Sequence, residues 1–408
     1  MAISDIESWT TVYTEIWPDI ALVVGCISPG GSTQYFIGPK QVITQGDQQK
    51  PKDKTDLTPQ TLFEIGSTTK LFTAGIFANE HPSTDTSFPS TPLGCYTEGL
   101  WASNPSCPVA QIPVCDLASF ASGLPPDNGE PCAPTPTPFL WPSPLLESIE
   151  SMFKSTDYPG LNLLSYTPTL PAGGQYTYSN MGYALLGMAA VNQQLYDDGN
   201  FLDNFSGALA SYCQLVGIQA KTPYTQFYYW DQVYNSSFLK NLAWGNSKER
   251  RLLSANKPPE WIPWLGSGGI VSNGEEMLTV LSYFVNTQPA WFQQLVPGEP
   301  STGYKNYCKA GEYEQTGDGW FMTTWPPNSG EEIVSKDGSV LGFTSWIGIQ
   351  PRANQPPNGG YGLFVLSNGP DAQPLGRLFY ALMTDTLSRP NPTEAEVKKY
   401  LGVPASAP

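Results

Sequence analysis

Imidazole is nearly missing from this chain: one histidine, His81, stands among 408 residues. Any Ser-His-Asp or Cys-His relay would have to run through it, and so would any zinc site that uses imidazole. Its setting, Asn79-Glu80-His81-Pro82, reads as a helix end followed by a proline stop, where a cationic ring suits the last turn. His81 is therefore expected at the surface or in a helix cap, and a hydrolase built on this sequence needs a different general base. Positive charge is also scarce, with 20 Lys plus Arg against 36 Asp plus Glu and a net charge of -16. Binding a phosphate backbone or an anionic membrane surface depends on concentrated cations, so neither is expected as a partner. No run approaches the roughly 18 apolar residues of a membrane span. No CxxC pair occurs, which removes the strongest pattern for a thiolate metal site, and no metal or cofactor is expected.

What is present suits a large folded core. Hydrophobic residues make up 40% of the chain, too many for a disordered one. Seven cysteines occur, and Cys95, Cys107, Cys115 and Cys132 crowd one stretch rich in Pro, Gly, Ser and Asn. With few apolar residues to hold that stretch, at least one disulfide among the four is expected, and with it a secreted or periplasmic protein. Reduced cysteines in a cytoplasmic protein are the alternative. The Met1-Ala2-Ile3-Ser4 start has no basic region followed by an apolar run, so an exported chain would have lost its leader.

The order of elements suggests one sheet built from both ends of the chain. A helix is followed by the β-branched run Ala21–Ile27, a Pro29-Gly30-Gly31-Ser32 turn and a returning strand, Gln34–Gly38. Residues 39–60 read as a polar loop. Residues 82–145 carry the densest proline and read as an ordered, cysteine-stapled excursion without a long helix. Helical spacing marks 145–154, 181–189, 205–215 and 274–284, and strands return at 344–350 and 361–367. A last helix from about 376 to 387 precedes a polar tail. The expected fold is α/β (α+β), an antiparallel sheet flanked by helices. Its divisions are 1–80 for the first strands and one helix, 81–330 for an inserted mainly helical region, 331–387 for the closing strands, and 388–408 for the tail.

Ser67 and Lys70 are three residues apart at the start of a helix, which puts them on one face. A serine hydroxyl beside a neutral lysine is a nucleophile and base that need no histidine. Alone, Ser-x-x-Lys is a weak signal, and an N-capped helix with a surface lysine explains it as well. Two more motifs follow in order: Tyr178-Ser179-Asn180 after Pro171-Ala172-Gly173, and Lys336-Asp337-Gly338-Ser339 before a strand. Together the three resemble the serine β-lactamase and penicillin-binding superfamily, in its class C β-lactamase and D-alanyl-D-alanine carboxypeptidase branch with related esterases and transesterases. Quieter likenesses are Ala121-Ser122-Gly123-Leu124-Pro125, Gly268-Gly269-Ile270-Val271-Ser272 and Gly319-Trp320-Phe321, so the resemblance runs from about residue 10 to 387.

The resemblance implies that Ser67 is acylated, Lys70 assists proton transfer, Tyr178 shuttles protons, and Lys336 completes the catalytic set as a positive charge that helps tune the other groups. It implies that Asn180 contacts the substrate amide and that the strand carrying Lys336, Gly338 and Ser339 lines the acyl site. The Ser339 N–H would then join that of Ser67 in an oxyanion hole. Two departures stand out. Asp337 replaces the family's Thr or Ser, where a carboxylate would repel that of a substrate, and Phe120 replaces a common His and reads as structural. The implied function is a metal-independent serine acyl hydrolase acting on an amide or ester, with a small molecule or peptide as partner and a monomer as the working unit. Three alternatives remain open: a β-lactamase, an acyltransferase or cyclase using the same intermediate, and a penicillin-recognising protein without turnover.

Overall fold

The computed structural model describes residues 2–44, 54–82, 89–124, 148–154, 162–168, 178–218, 225–227, 241–246, 262–287, 315–324, 332–340, 342–350, 360–384 and 391–403. Elements are numbered in chain order within these segments. Helix α1 (Ala2–Ile16) leads into a hairpin of β1 (Leu22–Ser28) and β2 (Ser32–Gly38), which turns at Gly30-Gly31. In the expected polar loop, β3 (Gln41–Ile43) and β4 (Lys54–Asp56) pair with each other. Strand β5 (Leu62–Glu64) runs through one 3₁₀ turn, Gly66–Thr68, into α2 (Thr69–Glu80). The inserted region carries α3 (Val114–Ala118), α4 (Ile149–Lys154), α5 (Asn180–Ala190), α6 (Asp198–Leu215), β6 (Gln226–Phe227), α7 (Leu265–Gly268), β7 (Ile270–Asn273) and α8 (Gly274–Asn286). Closing the chain are β8 (Gln315–Gly317), β9 (Trp320–Thr324), β10 (Glu332–Val340), β11 (Phe343–Ile349), β12 (Gly362–Ser367), α9 (Ala372–Met383) and α10 (Glu394–Tyr400).

The main sheet has seven strands in the order β2-β1-β12-β11-β10-β9-β8, every neighbouring pair antiparallel. The first strand of the chain thus lies beside the last, with Val24 opposite Val365. Residues on these central strands are apolar on both faces, and the two-residue period sorts them. Leu22, Val24, Cys26, Leu363 and Val365 pack with Trp9 and Tyr13 of α1 and Leu375 and Phe379 of α9. Val23, Ile27, Phe364 and Leu366 pack on the opposite face with Met277, Leu281 and Phe284 of α8, in a core continuous with α2, α5 and α6.

Two expectations need correction. The five described cysteines, Cys26, Cys95, Cys107, Cys115 and Cys213, are free thiols, so the structure shows no disulfide from Cys95, Cys107 or Cys115; Cys132 and Cys308 lie outside the described residues. The cysteine-rich excursion is held by apolar side chains instead: Leu93, Leu100, Trp101, Val109, Val114 and Leu117 are all buried, and the Cys107 thiol donates to the Leu163 carbonyl at 2.9 Å. Nor is 388–408 only a polar tail. Thr393 and Glu396 form a reciprocal capping box that starts α10, Val397 is buried, and the Tyr400 ring meets Trp9 of α1 edge-on at 5.8 Å.

Candidate active site

Ser67 sits in the 3₁₀ turn that feeds α2, one step before the helix proper. That turn is clamped by backbone. Gly66 has φ +51°, and a Cβ there would lie 2.7 Å from the Ser339 nitrogen of β10. At Gly338 a Cβ would run into the Ile65 carbonyl oxygen and stand 2.9 Å from the Thr68 nitrogen. Only glycine lets the two main chains approach this closely. Side chains complete the clamp: the Ser345 hydroxyl of β11 donates to the Ile65 carbonyl at 2.7 Å and lies 2.7 Å from the Thr68 hydroxyl. On the other side the Ile65 N–H donates to Ile270 of β7.

Two side chains, Lys70 and Tyr178, reach Ser67 Oγ, and a third, Asn180, joins them through Lys70. Lys70, one turn along α2 and fully buried, brings Nζ to 3.1 Å from Ser67 Oγ. The same Nζ donates to Asn180 Oδ1 at 2.7 Å and to the Ser267 carbonyl at 2.6 Å. The Tyr178 hydroxyl donates to Ser67 Oγ at 2.6 Å. Tyr178 and Asn180 flank Ser179, whose hydroxyl accepts the Gly182 N–H and caps α5, so the helix start fixes both.

Lys336 meets the cluster through the face of the Tyr178 ring. It is buried on β10, its Nζ donates to the Asp337 carbonyl at 2.5 Å, and it lies 3.7 Å from Asp337 Oδ1. It faces ring surfaces, 4.9 Å from the Phe321 centroid and 5.5 Å from that of Tyr178. Burial pushes its ammonium pKa down, and the Asp337 carboxylate opposes that shift. Strand alternation sends the two residues to opposite faces, Lys336 opposite Ile347 and Asp337 opposite Trp346, yet the carboxylate still reaches the ammonium. Strand β9 pairs with β10 only as far as Ser335, opposite Phe321. From Lys336 to Val340 the described residues pair β10 with β11 alone, leaving an open strand edge beside Ser67. Ser339 is exposed on that edge.

His81 is the C-cap of α2, as expected, but its ring serves another helix. Its Nε2 lies 3.1 Å and 3.2 Å from the Ala189 and Ala190 carbonyls that end α5. Asn180 begins that helix, so His81 lies about 15 Å of helix from the Ser67 cluster. Sequence reading missed the Ser267 carbonyl, although the motif-like segment beginning at Gly268 points next to it. It also took Phe120 as merely structural, whereas the Phe120 ring stacks on Tyr178 at 4.9 Å.

The family model described as beta-lactamase matches residues 28–384. Among solved structures the fold is similar to a class C beta-lactamase from Rhodobacter sphaeroides, at 18% identity and TM-score 0.61 over 94% of this chain and 99% of that one. It is similar as well to a beta-lactamase/D-alanine carboxypeptidase from Pseudomonas syringae, at 15% identity and TM-score 0.61 over 95% of this chain and 99% of that one. A further class C beta-lactamase matches at 16% identity and TM-score 0.63, over 95% and 97%. At such identities the likeness is one of fold. Sequence comparison with curated proteins finds no match.

Proposed function

Because the chain belongs to the β-lactamase family, we propose that it is a serine acyl hydrolase that cleaves an amide or ester through a covalent acyl-enzyme on Ser67. The observation that carries this reading is the placement of Ser67 Oγ between Lys70 Nζ at 3.1 Å and the Tyr178 hydroxyl at 2.6 Å. Asn180 Oδ1 and the Ser267 carbonyl can only accept hydrogen bonds. A neutral Lys70 amine satisfies both with its two N–H groups, which turns its lone pair toward Ser67. The amine takes the serine proton as Oγ attacks the substrate carbonyl carbon. As the C–N or C–O bond breaks, Tyr178 gives its proton to the leaving group. Water then attacks the acyl carbon and reprotonates Tyr178, while Lys70 returns the proton to the departing Ser67 oxygen. The Ser67 and Ser339 N–H groups are the proposed oxyanion donors, supported by the backbone contact of Gly66 with Ser339.

The open edge of β10 offers main-chain donors and acceptors to an extended substrate, which would add as a further strand. Lys336, buried and shared with Asp337, is a poor receptor for a substrate carboxylate. The proposed substrates therefore lack a carboxylate beside the scissile bond, and peptidase or esterase chemistry ranks above β-lactam turnover. Intact mass measured after mixing with β-lactams, activated esters and D-amino-acid peptides tests this. An acyl mass on Ser67 with an ester or peptide is expected, and Ser67→Ala should lower turnover by at least about a thousandfold. An adduct on another residue, or a fully active Ser67→Ala, would end the proposal. Product analysis with an added amine or alcohol separates hydrolysis from acyl transfer.

A further inference from the structure

We propose that Phe120 is a positioning residue: its ring holds the plane of Tyr178, and so keeps the phenol hydroxyl on Ser67. The inference rests on the reading of Tyr178 as the proton carrier at Ser67. It starts from a backbone anomaly. Phe120 has φ +59°, one of only four non-glycine residues with positive φ among the described residues. The Phe120 N–H donates to the Leu117 carbonyl at 3.4 Å and the Ala121 N–H to the Asp116 carbonyl at 2.8 Å, which closes α3 with a Schellman motif. Phe120 therefore occupies the left-handed position that normally takes glycine. A phenylalanine held there is strained, and strain of this kind points to a role for the side chain.

The ring supplies that role. It is fully buried, stacked on Tyr178 with centroids 4.9 Å apart and planes 21° apart, and on Phe321 at 5.7 Å and 9°. Three rings thus lie in a row, Tyr178, Phe120 and Phe321. The Lys336 ammonium sits 4.9 Å from the Phe321 centroid and 5.5 Å from that of Tyr178, and Lys70 Nζ lies 4.9 Å from that of Tyr178. The loop bearing Phe120 is itself tied down, since the Ala118 carbonyl accepts both the Tyr183 hydroxyl at 2.7 Å and the Gly319 N–H at 3.2 Å. Glycine would close α3 without strain, and an aliphatic side chain would fill the space. A flat ring packed on its face holds the Tyr178 plane, and because a phenol O–H prefers to lie in that plane, it holds the direction in which the hydroxyl points its proton at Ser67 Oγ.

The test uses the full chain with p-nitrophenyl butyrate as probe, reading the burst of p-nitrophenolate as acylation across pH. Variants are Phe120→Leu, Phe120→Tyr, Tyr178→Phe and the Phe120→Leu/Tyr178→Phe double, each checked for folding by thermal melting. Expected for Phe120→Leu is an acylation rate constant lowered about a hundredfold, on the scale of a misplaced reacting group, with little change in KM and an altered pH profile. Phe120→Tyr, which keeps the ring, should restore the rate to within a few-fold of the original protein. Phe120→Leu should cost nothing further in the Tyr178→Phe background, as coupling through one residue requires. A folded Phe120→Leu that acylates at the original rate and pH dependence, or that loses equally in both backgrounds, would overturn the inference. If Phe120→Leu does not fold, Phe321→Leu takes its place with the same pattern expected and the same overturning result. A fully active Tyr178→Phe would instead sink the proposed chemistry, and the role of the stack with it.

Discussion

Two carboxyl side chains, one on each of the strands β5 and β10 that adjoin the nucleophile turn, show how differently charge is managed there. Asp337 lies 3.7 Å from the Lys336 ammonium with its side chain about a third exposed. A substrate carboxylate about 4 Å from it would meet a repulsion of roughly 1 kcal/mol in water and about 4 kcal/mol near a protein surface, enough to weaken capture by about fivefold in the first case and several hundredfold in the second. Replacing Asp337 by Thr should therefore raise kcat/KM for a free-acid substrate relative to its methyl ester. An unchanged acid-to-ester ratio would show that Asp337 does not select the substrate. Glu64, three residues before Ser67, is buried, its Oε1 has no hydrogen-bond partner among the described residues, and desolvation raises its pKa well above 4.5. The folded protein holds this proton more tightly than the unfolded chain. Its stabilising contribution is full below about pH 4.5 and is lost as pH rises toward the raised value. Glu64→Gln, permanently neutral, should match the original protein in stability at low pH. Above about pH 4.5 the gap should widen in favour of Gln by about 1.4 kcal/mol per pH unit until the folded pKa is reached. Melting curves across pH that run parallel for the two proteins would contradict this.

At the scale of elements, long apolar patterns were legible and short or cooperative ones were not. The runs that became β1, β12, α5 and α8 stand out because each buries a full face or both faces. Local spacing put Ser67 and Lys70 on one helix face, whereas Tyr178 and Asn180 were brought to them only by the resemblance of the ordered motifs. The Ser267 carbonyl could not be found this way, because a main-chain oxygen has no residue identity. The Phe120 stack depends on three segments that meet only in the fold. The β3–β4 pair is three residues a side, too short for its Val42 and Ile43 to form a readable period, and α10 is a seven-residue helix whose Thr393–Glu396 capping box was its visible mark. The cysteine cluster misled because its own proline-rich segment was judged too weakly apolar to pack. Iodoacetamide applied without reductant should label exposed Cys95 quickly. Burial pushes the Cys26 and Cys115 thiols up to about 11 and Cys213 to about 12, so these should react slowly until the chain is unfolded. A mixed or missing signal at Cys95, Cys107 and Cys115 after unfolding without reductant would revive the disulfide.

In the whole molecule, the sheet cannot close until β1 meets β12 across most of the chain. Such long-range pairing slows folding relative to a protein of local contacts. The nucleophile turn inherits this dependence, since Ser67 lies between β5 from the first part of the chain and β10–β11 from the last. The helices outside the sheet carry the same logic to the chain ends: α10 rests on α1 through Tyr400 and Trp9. Among the described residues the first helix and the last are thus in contact. A linker joining α10 to α1, with the chain reopened at the exposed Gly30-Gly31 turn, moves the break to the rim of the sheet, because among the described residues β2 pairs with β1 alone. The permuted chain should melt cooperatively and give the same acyl-enzyme yield as the parent, since cutting there separates no pair of residues that meet at Ser67.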